Sequence, residues 1–434
     1  MTLTISRRSL VATAAGLALA TALSMPAAAQ QVTITWLTGN AANTVASAEA
    51  IIEAFEAANP DIDVQLELRP GGGEGDNIIK TRLATNDMPE VFNYNSGSLF
   101  QALNPVQNLM DLTNEPWQAE VLDSHKTVVT APDGTVRGGP FGSAMGGGIL
   151  YSKPIYEELG LEIPKSWDEF MANNAKIKDA GYAPVIQTFG TTWTSQLFVL
   201  GDFFNVLAAE PDFPERYTGN EAKYATSEAA MKGFKRQQEI YEAGYLNEDF
   251  AAATFEEGLF QLADGSGAHY PMLTFAISTI GEIAPENLND IGFFAIPGDD
   301  ASSNGLTTWM PDSVYIPKTA EGEKLEAAKK LVAFIESVDG CAAHMAGATP
   351  TGPFLVKGCS LPESVPPAVA DLQTYFNQEG TTAPALEFVS PIKGPALEQI
   401  TVEVGSGIRS AEDGAALYDE DVRKQAQQLG IDGW

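Results

Sequence analysis

Short β-rich stretches alternate with helix-length amphipathic ones along most of this chain, and that alternation limits its fold more than any other feature. VTITWLTG (32–39) is rich in β-formers. Residues 43–61, NTVASAEAIIEAFEAANPD, then carry Val45, Ala48, Ile51, Ile52 and Phe55 at helical spacing until Asn59 and Pro60 stop them. DVQLEL (63–68) alternates again, and DNIIKTRLATNDMP (76–89) predicts a helix capped by Asp76 or Asn77 with Ile78, Ile79 and Leu83 inward. EVFNYN (90–95) reads as a further strand. Strands alternating with helices of this length predict an α/β fold whose sheets are mainly parallel and built from right-handed crossovers.

The second half continues in the same style. GGILYSK, MLTFAISTIG and IGFFAIPG read as strands, and QLFVLGDFFNVLAA (196–209) as one deeply buried helix. KSWDEFMANNAKIKDAG reads as a helix with Ser166 and Glu169 forming a capping box. KLEAAKKLVAFIESVDG and EDGAALYDEDVRKQAQQL are amphipathic helices. A mature chain of about 400 residues exceeds what one core usually supports, so two domains are expected. No low-complexity linker divides them, which predicts that several strands cross between domains assembled from separated pieces of sequence.

Residues 1–29 form a signal peptide by pattern: Arg7 and Arg8, an apolar run from Leu10 to Met25, then Ala27–Ala29. The mature chain is expected to begin near Gln30 or Gln31, soluble and exported to the periplasm. SRRSLV resembles a twin-arginine signal, although Leu10 stands where that pattern prefers Phe. Losing the two arginines moves the formal charge from -32 to -34, which disfavours nucleic acid and anionic lipid as partners. In an oxidising compartment Cys341 and Cys359 favour a disulfide over a pair of buried thiols. Neither cysteine lies in a CxxC, and His125, His269 and His344 show no metal-ligand spacing, so no metal or cofactor is expected.

RPGGGEGDNIIK (69–80) invites a phosphate-binding reading that its spacing refuses. Counted from Gly71, the third glycine of a dinucleotide fingerprint falls on Asp76, and no P-loop lysine follows. Glu74 and Asp76 would also repel a phosphate. The stretch is therefore expected to be a flexible acidic loop at a strand end, suited to a neutral, hydroxyl-rich ligand; a surface turn without ligand is the competing reading.

Four stretches together resemble a known family. They are AIIEAFEAANPDIDVQLE (50–67), IIKTRLATNDMPEVFNYN (78–95), the long segment from Val136 to Gly181 with its IPKSWDEF helix start, and KLEAAKKLVAFIESVDG (324–340). The chain looks like the family 1 extracellular solute-binding proteins, the maltose-binding-protein-like carbohydrate-binding components of bacterial ABC importers. The acidic GGGEGD insert and the two cysteines are not general features of that family. The resemblance implies a two-lobed periplasmic-binding-protein fold with a three-segment hinge and no enzymatic activity. Lobe 1 would be residues 31–143 and 304–350, and lobe 2 residues 144–303 and 351–434, with crossings near Ser143, Ser303 and Thr351.

Sugar recognition needs flat aromatic faces for the C–H side of a pyranose and polar groups for its hydroxyls. Strand-end position nominates Asn40, Asn93, Tyr94, Asn95 and Ser96, with Glu74 and Asp76 from the glycine stretch. Trp193 stands in a polar turn, and Trp309 and Asp312 flank Pro311 beside an expected hinge. Phe275 is nominated against core packing, which also explains Phe203 and Phe204 better. The expectation is a monomeric binder that closes on a neutral di- or oligosaccharide and hands it to permease subunits. An α-linked sugar of glucose or galactose is the finer guess. The rivals are an exported glycoside hydrolase or lyase, and a binder of a cationic solute such as a polyamine.

Overall fold

The computed structural model describes residues 31–434; the expected signal peptide, residues 1–29, lies outside the described residues. Among the described residues eleven strands form two sheets. They are β1 (Val32–Gly39), β2 (Ile62–Arg69), β3 (Val91–Tyr94), β4 (Gly138–Phe141), β5 (Met145–Ser152), β6 (Ala183–Val185), β7 (Gly267–Leu273), β8 (Ile291–Ala295), β9 (Leu306–Trp309), β10 (Asp312–Tyr315) and β11 (Thr382–Pro384). The first sheet runs β2-β1-β3-β10-β4; the second runs β11-β9-β5-β7-β6, with β8 also on β5.

Period-two alternation decides which face each strand residue covers. Ile34, Trp36, Val91 and Val314 point into a core shared with Ile51, Phe55 and Leu331 of the helices Ala42–Ala58 and Gly322–Ile335. Their neighbours Leu37, Phe92, Tyr94 and Tyr315 point the other way, onto Ile79, Leu83 and Phe100. The second sheet does the same: Leu150 and Phe293 face one core, Ile149 and Phe294 the other. A separate helical core around Phe213, Tyr217, Phe234, Val404 and Tyr418 completes that lobe.

The sheets are less parallel than the strand–helix alternation predicts. β1 pairs parallel with β2 and β3, but β10 is antiparallel to β3 and β4. In the second sheet β5 is antiparallel to β7, β8 and β9, and only the β6–β7 and β9–β11 pairs are parallel. A strand that arrives from the other lobe needs no crossover helix, so the handedness rule that favours parallel neighbours does not constrain it.

Several local expectations change for identifiable reasons. The glycine stretch is not a loop: a helix spans Gly72–Thr85 with Gly71 as its N-cap, five or six residues before the expected caps. The run 196–209 breaks into Leu197–Leu200 and Phe203–Ala209, because Asp202 turns into the interior to pair with Arg236. MLTFAISTIG is strand only to Leu273. Thr274 Oγ1 then accepts from Gly146 N at 3.0 Å and donates to Thr351 O at 2.9 Å, and Ala276–Ile283 is helical. The long helix at 324–340 ends at Ile335, and Ser337 caps a second one, Val338–Gly347. The Ser166–Glu169 capping box forms as expected.

The chain passes from β4 to β5 through Gly142–Ala144. It returns from β9 to β10 through Met310 and Pro311, not near Ser303, because Leu306–Trp309 still pairs in the second sheet. Pro311 lacks the N–H a ladder needs, which fits the break there. The third passage also lies later than Thr351. Leu122 N donates to Leu355 O at 2.8 Å and Lys357 N to Glu120 O at 2.8 Å, so residues 355–357 stay on the first lobe. Cys359, joined to Cys341 with their Cα atoms 6.1 Å apart, is held there too. Helix Pro367–Phe376 then packs on the second sheet, where Asp371 accepts from Phe293 N at 3.0 Å.

Glu336 is a buried acid whose two carboxyl oxygens have no partner among the described residues, pressed against the backbone of Gly139, which the Trp117 ring also approaches. Burial pushes its carboxyl well above the ordinary 4.5, so the folded protein keeps a proton that the unfolded chain releases. Stability from this group is full below about pH 4.5 and is lost as pH rises toward the folded value, by at most about 1.4 kcal/mol per pH unit. Glu336→Gln removes that slope: thermal unfolding should show the variant gaining on the parent as pH rises from 4.5 to 8, whereas a constant difference would refute the assignment.

Candidate functional site

The ends of β1, β2 and β3 and the start of β10 lie side by side at one edge of the first sheet, where open α/β sheets gather ligand-binding groups. Arg69, the last residue of β2, is buried at this edge. Its Nη2 donates to Asn93 O at 3.3 Å and Nη1 to Pro70 O at 3.2 Å, its guanidinium carbon lies 5.7 Å from the Tyr94 ring centre, and Nε has no partner among the described residues. Gly75 explains how so large a group fits: a Cβ there would collide with Pro70 O and with Arg69 Nη1.

Two acidic side chains lie close enough for the Arg69 charge to lower their pKa. Asp76, half-buried, faces Lys80, Arg69, Tyr94 and, from the other lobe, Lys393; burial raises its pKa more than these neighbours lower it. Asp312, at the start of β10, is also raised by burial, lowered by Arg69 and raised further by Asp76. The Tyr94 hydroxyl turns toward Asp76 without closing a well-formed hydrogen bond, and burial holds it far above its ordinary pKa.

The second lobe carries an aromatic wall. Trp193 lies 5.4 Å from Phe255 and 5.7 Å from Phe275, ring centre to ring centre, and Phe255 and Phe275 are 5.5 Å apart. Trp193 and Phe275 are half-buried, so part of each ring stays accessible. The glycine stretch approaches this wall with bare backbone: a Cβ on Gly72 would stand 3.7 Å from Trp193 Cδ1, and one on Gly73 3.5 Å from Glu398 Oε1. Near it, Glu387 accepts the Trp309 indole N–H and pairs with Lys393 at 3.0 Å, while Gly147 of β5 leaves room for the Trp309 ring.

The nominated residues thus separate. The Tyr94 ring lies against Arg69, whose charge also lowers the pKa of Asp76 and Asp312, and Trp193 and Phe275 form the wall. Trp309 is buried with its N–H engaged, so it supports Glu387 rather than offering an open face. Asn93 is a core residue whose Oδ1 accepts from Trp36 Nε1 at 2.8 Å, and Ser96 Oγ donates to Pro311 O at 3.3 Å beside the crossing. Asn40, Glu74 and Asn95 are exposed at the rim. Arg69, Phe255, Glu387 and Lys393 escaped the sequence reading. Arg69 alone carried a signal, a cation closing an alternating strand just before the glycines.

A family profile described as bacterial extracellular solute-binding protein matches residues 39–340. The Multiple sugar-binding protein of Streptococcus mutans is 25% identical over 295 residues, 67% of this chain and 68% of that protein. Two solved structures superpose over 92% of this chain and 100% of their own. A chitin oligosaccharide binding protein does so with TM-score 0.79 at 19% identity, and the solute-binding protein RafE in complex with raffinose with TM-score 0.72 at 21% identity. These superpositions establish the two-lobed fold.

The packing around Arg69 makes a sharp prediction about the glycines. Gly75→Ala should lower stability by about 1 to 3 kcal/mol through overpacking. Gly71→Ala, with nothing within 4 Å of its Cβ and an ordinary φ of -78°, should change thermal unfolding little. Equal effects of the two substitutions would contradict the close approach.

Proposed function

The chain belongs to the bacterial extracellular solute-binding proteins, and from that premise we propose that it captures a neutral di- or oligosaccharide between its lobes and delivers it unaltered to the permease of an ABC importer. The observation that carries this reading is the approach of unlike chemistries from the two lobes: a Cβ on Gly72, at the head of the helix that bears Asp76, would touch Trp193 of the aromatic wall, and Lys393 of the second lobe acts on Asp76. Rings cover the C–H face of a pyranose and supply affinity. Ionised carboxylates accept strong hydrogen bonds from hydroxyls that would otherwise lose water without compensation, at about 1 to 3 kcal/mol each. Micromolar binding needs about -8 kcal/mol net.

Closure follows from where these groups sit. The wall belongs to one lobe and the charged cluster to the other, so only the closed arrangement engages both, and a sugar shifts the open–closed equilibrium by that difference in affinity. The passages near Gly142–Ala144, Met310–Pro311 and 360–366 are the proposed hinge. Export with cleavage of residues 1–29, a Cys341–Cys359 disulfide formed in the periplasm and a monomeric state complete the reading. Relatives named for several sugars or chitin oligosaccharide, and a fold neighbour holding raffinose, support an oligosaccharide ligand.

A panel of raffinose, stachyose, maltotriose and chitotriose should contain at least one sugar that raises the melting temperature by mass action. Trp193→Ala should weaken that sugar by roughly tenfold or more, read by calorimetric titration. The sugar should be recovered chemically intact after incubation. New reducing ends would favour a hydrolase, and binding of spermidine abolished by salt would favour a cationic solute.

A further inference from the structure

We infer that Phe388, carried by the second lobe, is a positioning residue that clasps the first lobe at Gly97 when the lobes close, and so sets how long a sugar is held without touching it. The clasp rests on the reading that the lobes close around a sugar.

Among the described residues, and outside the three passages between the lobes, Phe388 is the one hydrophobic side chain of the second lobe that packs against a core of the first, the one holding Tyr94, Phe100 and Tyr315. Its short helix, Leu386–Val389, is rooted in its own lobe. Leu386 is buried with Phe213 and Tyr418, and Ala385 N donates to Thr308 O at 2.9 Å. Glu387 accepts the Trp309 indole N–H and pairs with Lys393 at 3.0 Å. The helix therefore moves with the second lobe, while the Phe388 ring reaches out of it.

On the first lobe the seat is built around one glycine. Gly97 opens the short helix Gly97–Gln101 after β3 with a φ of +67°, in the left-handed region that costs other residues free energy. A Cβ there would collide with Glu387 O and stand 2.8 Å from Phe388 Cδ1, so only bare backbone admits the clasp. The chain on either side of β3's end is pinned: Tyr315 Oη donates to Asn95 O at 3.1 Å, and Ser96 Oγ to Pro311 O at 3.3 Å. A ring fixed at its base thus meets a seat fixed in place.

The contact joins the lobes only when they are together, so its apolar burial lowers the free energy of the closed arrangement relative to the open one. It draws a fraction of sugar-free molecules into closure, and it must be broken before a captured sugar leaves. Because it acts on the lobes and not on the ligand, its loss weakens every sugar by one factor. Trp193 and Phe275, assigned to the sugar itself, carry no such uniformity.

Phe388→Ala and Phe388→Leu are compared with the parent, with raffinose and stachyose as probes. In sugar-free protein, small-angle X-ray scattering should give Phe388→Ala a larger radius of gyration than the parent, with Phe388→Leu between them. Calorimetric titration should show both sugars weakened in Phe388→Ala by a common factor of about five or more, and stopped-flow kinetics should place most of that factor in faster dissociation. Phe388→Leu should restore part of the loss. If Phe388→Ala fails to fold, Phe388→Leu carries the comparison alone. Equal sugar-free radii, or unchanged dissociation, would overturn the clasp. Weakening of one sugar with the other untouched would also overturn it, making Phe388 a ligand contact. If neither sugar binds the parent, their capture fails as a reading, while the sugar-free radii still decide the clasp.

Discussion

One chain is threaded through two sheets, and the hydrogen bonds that tie its passages together are the constraint from which the cleft follows. Thr351 N donates to Ser143 Oγ at 3.2 Å, the two hydroxyls meet at 3.1 Å, Thr274 Oγ1 donates to Thr351 O at 2.9 Å, and Ala144 N donates to Pro353 O at 2.8 Å. These bonds join segments far apart in sequence at one place between the lobes. A hinge knitted in this way lets each sheet keep its own pair of cores while the edges away from it approach or part. Under the proposed closure the first lobe meets the aromatic wall at Gly72, just after β2, where a Cβ would stand 3.7 Å from Trp193 Cδ1.

At the cleft the lobes contribute unlike chemistry. The first gives charge held by backbone: Arg69 on main-chain carbonyls, with Asp76 on the first turns of a helix that begins in glycines. The second gives ring surface, together with the Trp309–Glu387–Lys393 group set on β9, the short helix Leu386–Val389 and the segment after it. Bare backbone at Gly72 and Gly97 brings the lobes together closely; a Cβ on Gly97 would collide with Glu387 O. The glycine stretch is thus explained by close packing at two points, Arg69 and the facing lobe, without any phosphate.

Much of this was legible from residue order. The strands at 32–39 and 90–95, the helix stop at Asn59 and the Ser166 capping box follow from local rules and stand in the structure as read. That Asp76 and Trp193 lie where the lobes approach one another was legible too, since a strand-end acid and a tryptophan in a polar turn are awkward to explain by packing within one lobe. What was not legible depended on partners distant in sequence. Asn93 reads as a strand-end ligand until Trp36 is seen to donate to it. Trp309 reads as a stacking face until Glu387, 78 residues on, takes its N–H. Asp202 breaks an apolar run because Arg236 waits inside, and the β9–β10 passage shifts to Pro311 because β11 pairs with β9. Periodicity reports a residue's neighbours along the chain, and these outcomes were decided across it.

The central claim is that a neutral oligosaccharide draws the two lobes into the arrangement described, with Trp193 against the glycine-led helix. Small-angle X-ray scattering of the mature protein, with and without a sugar that stabilises it, tests this most directly. The account predicts a larger radius of gyration without sugar, and convergence on the value calculated from this structure when sugar saturates the site. A radius unchanged by saturating sugar, and larger than the calculated value in both states, would contradict it.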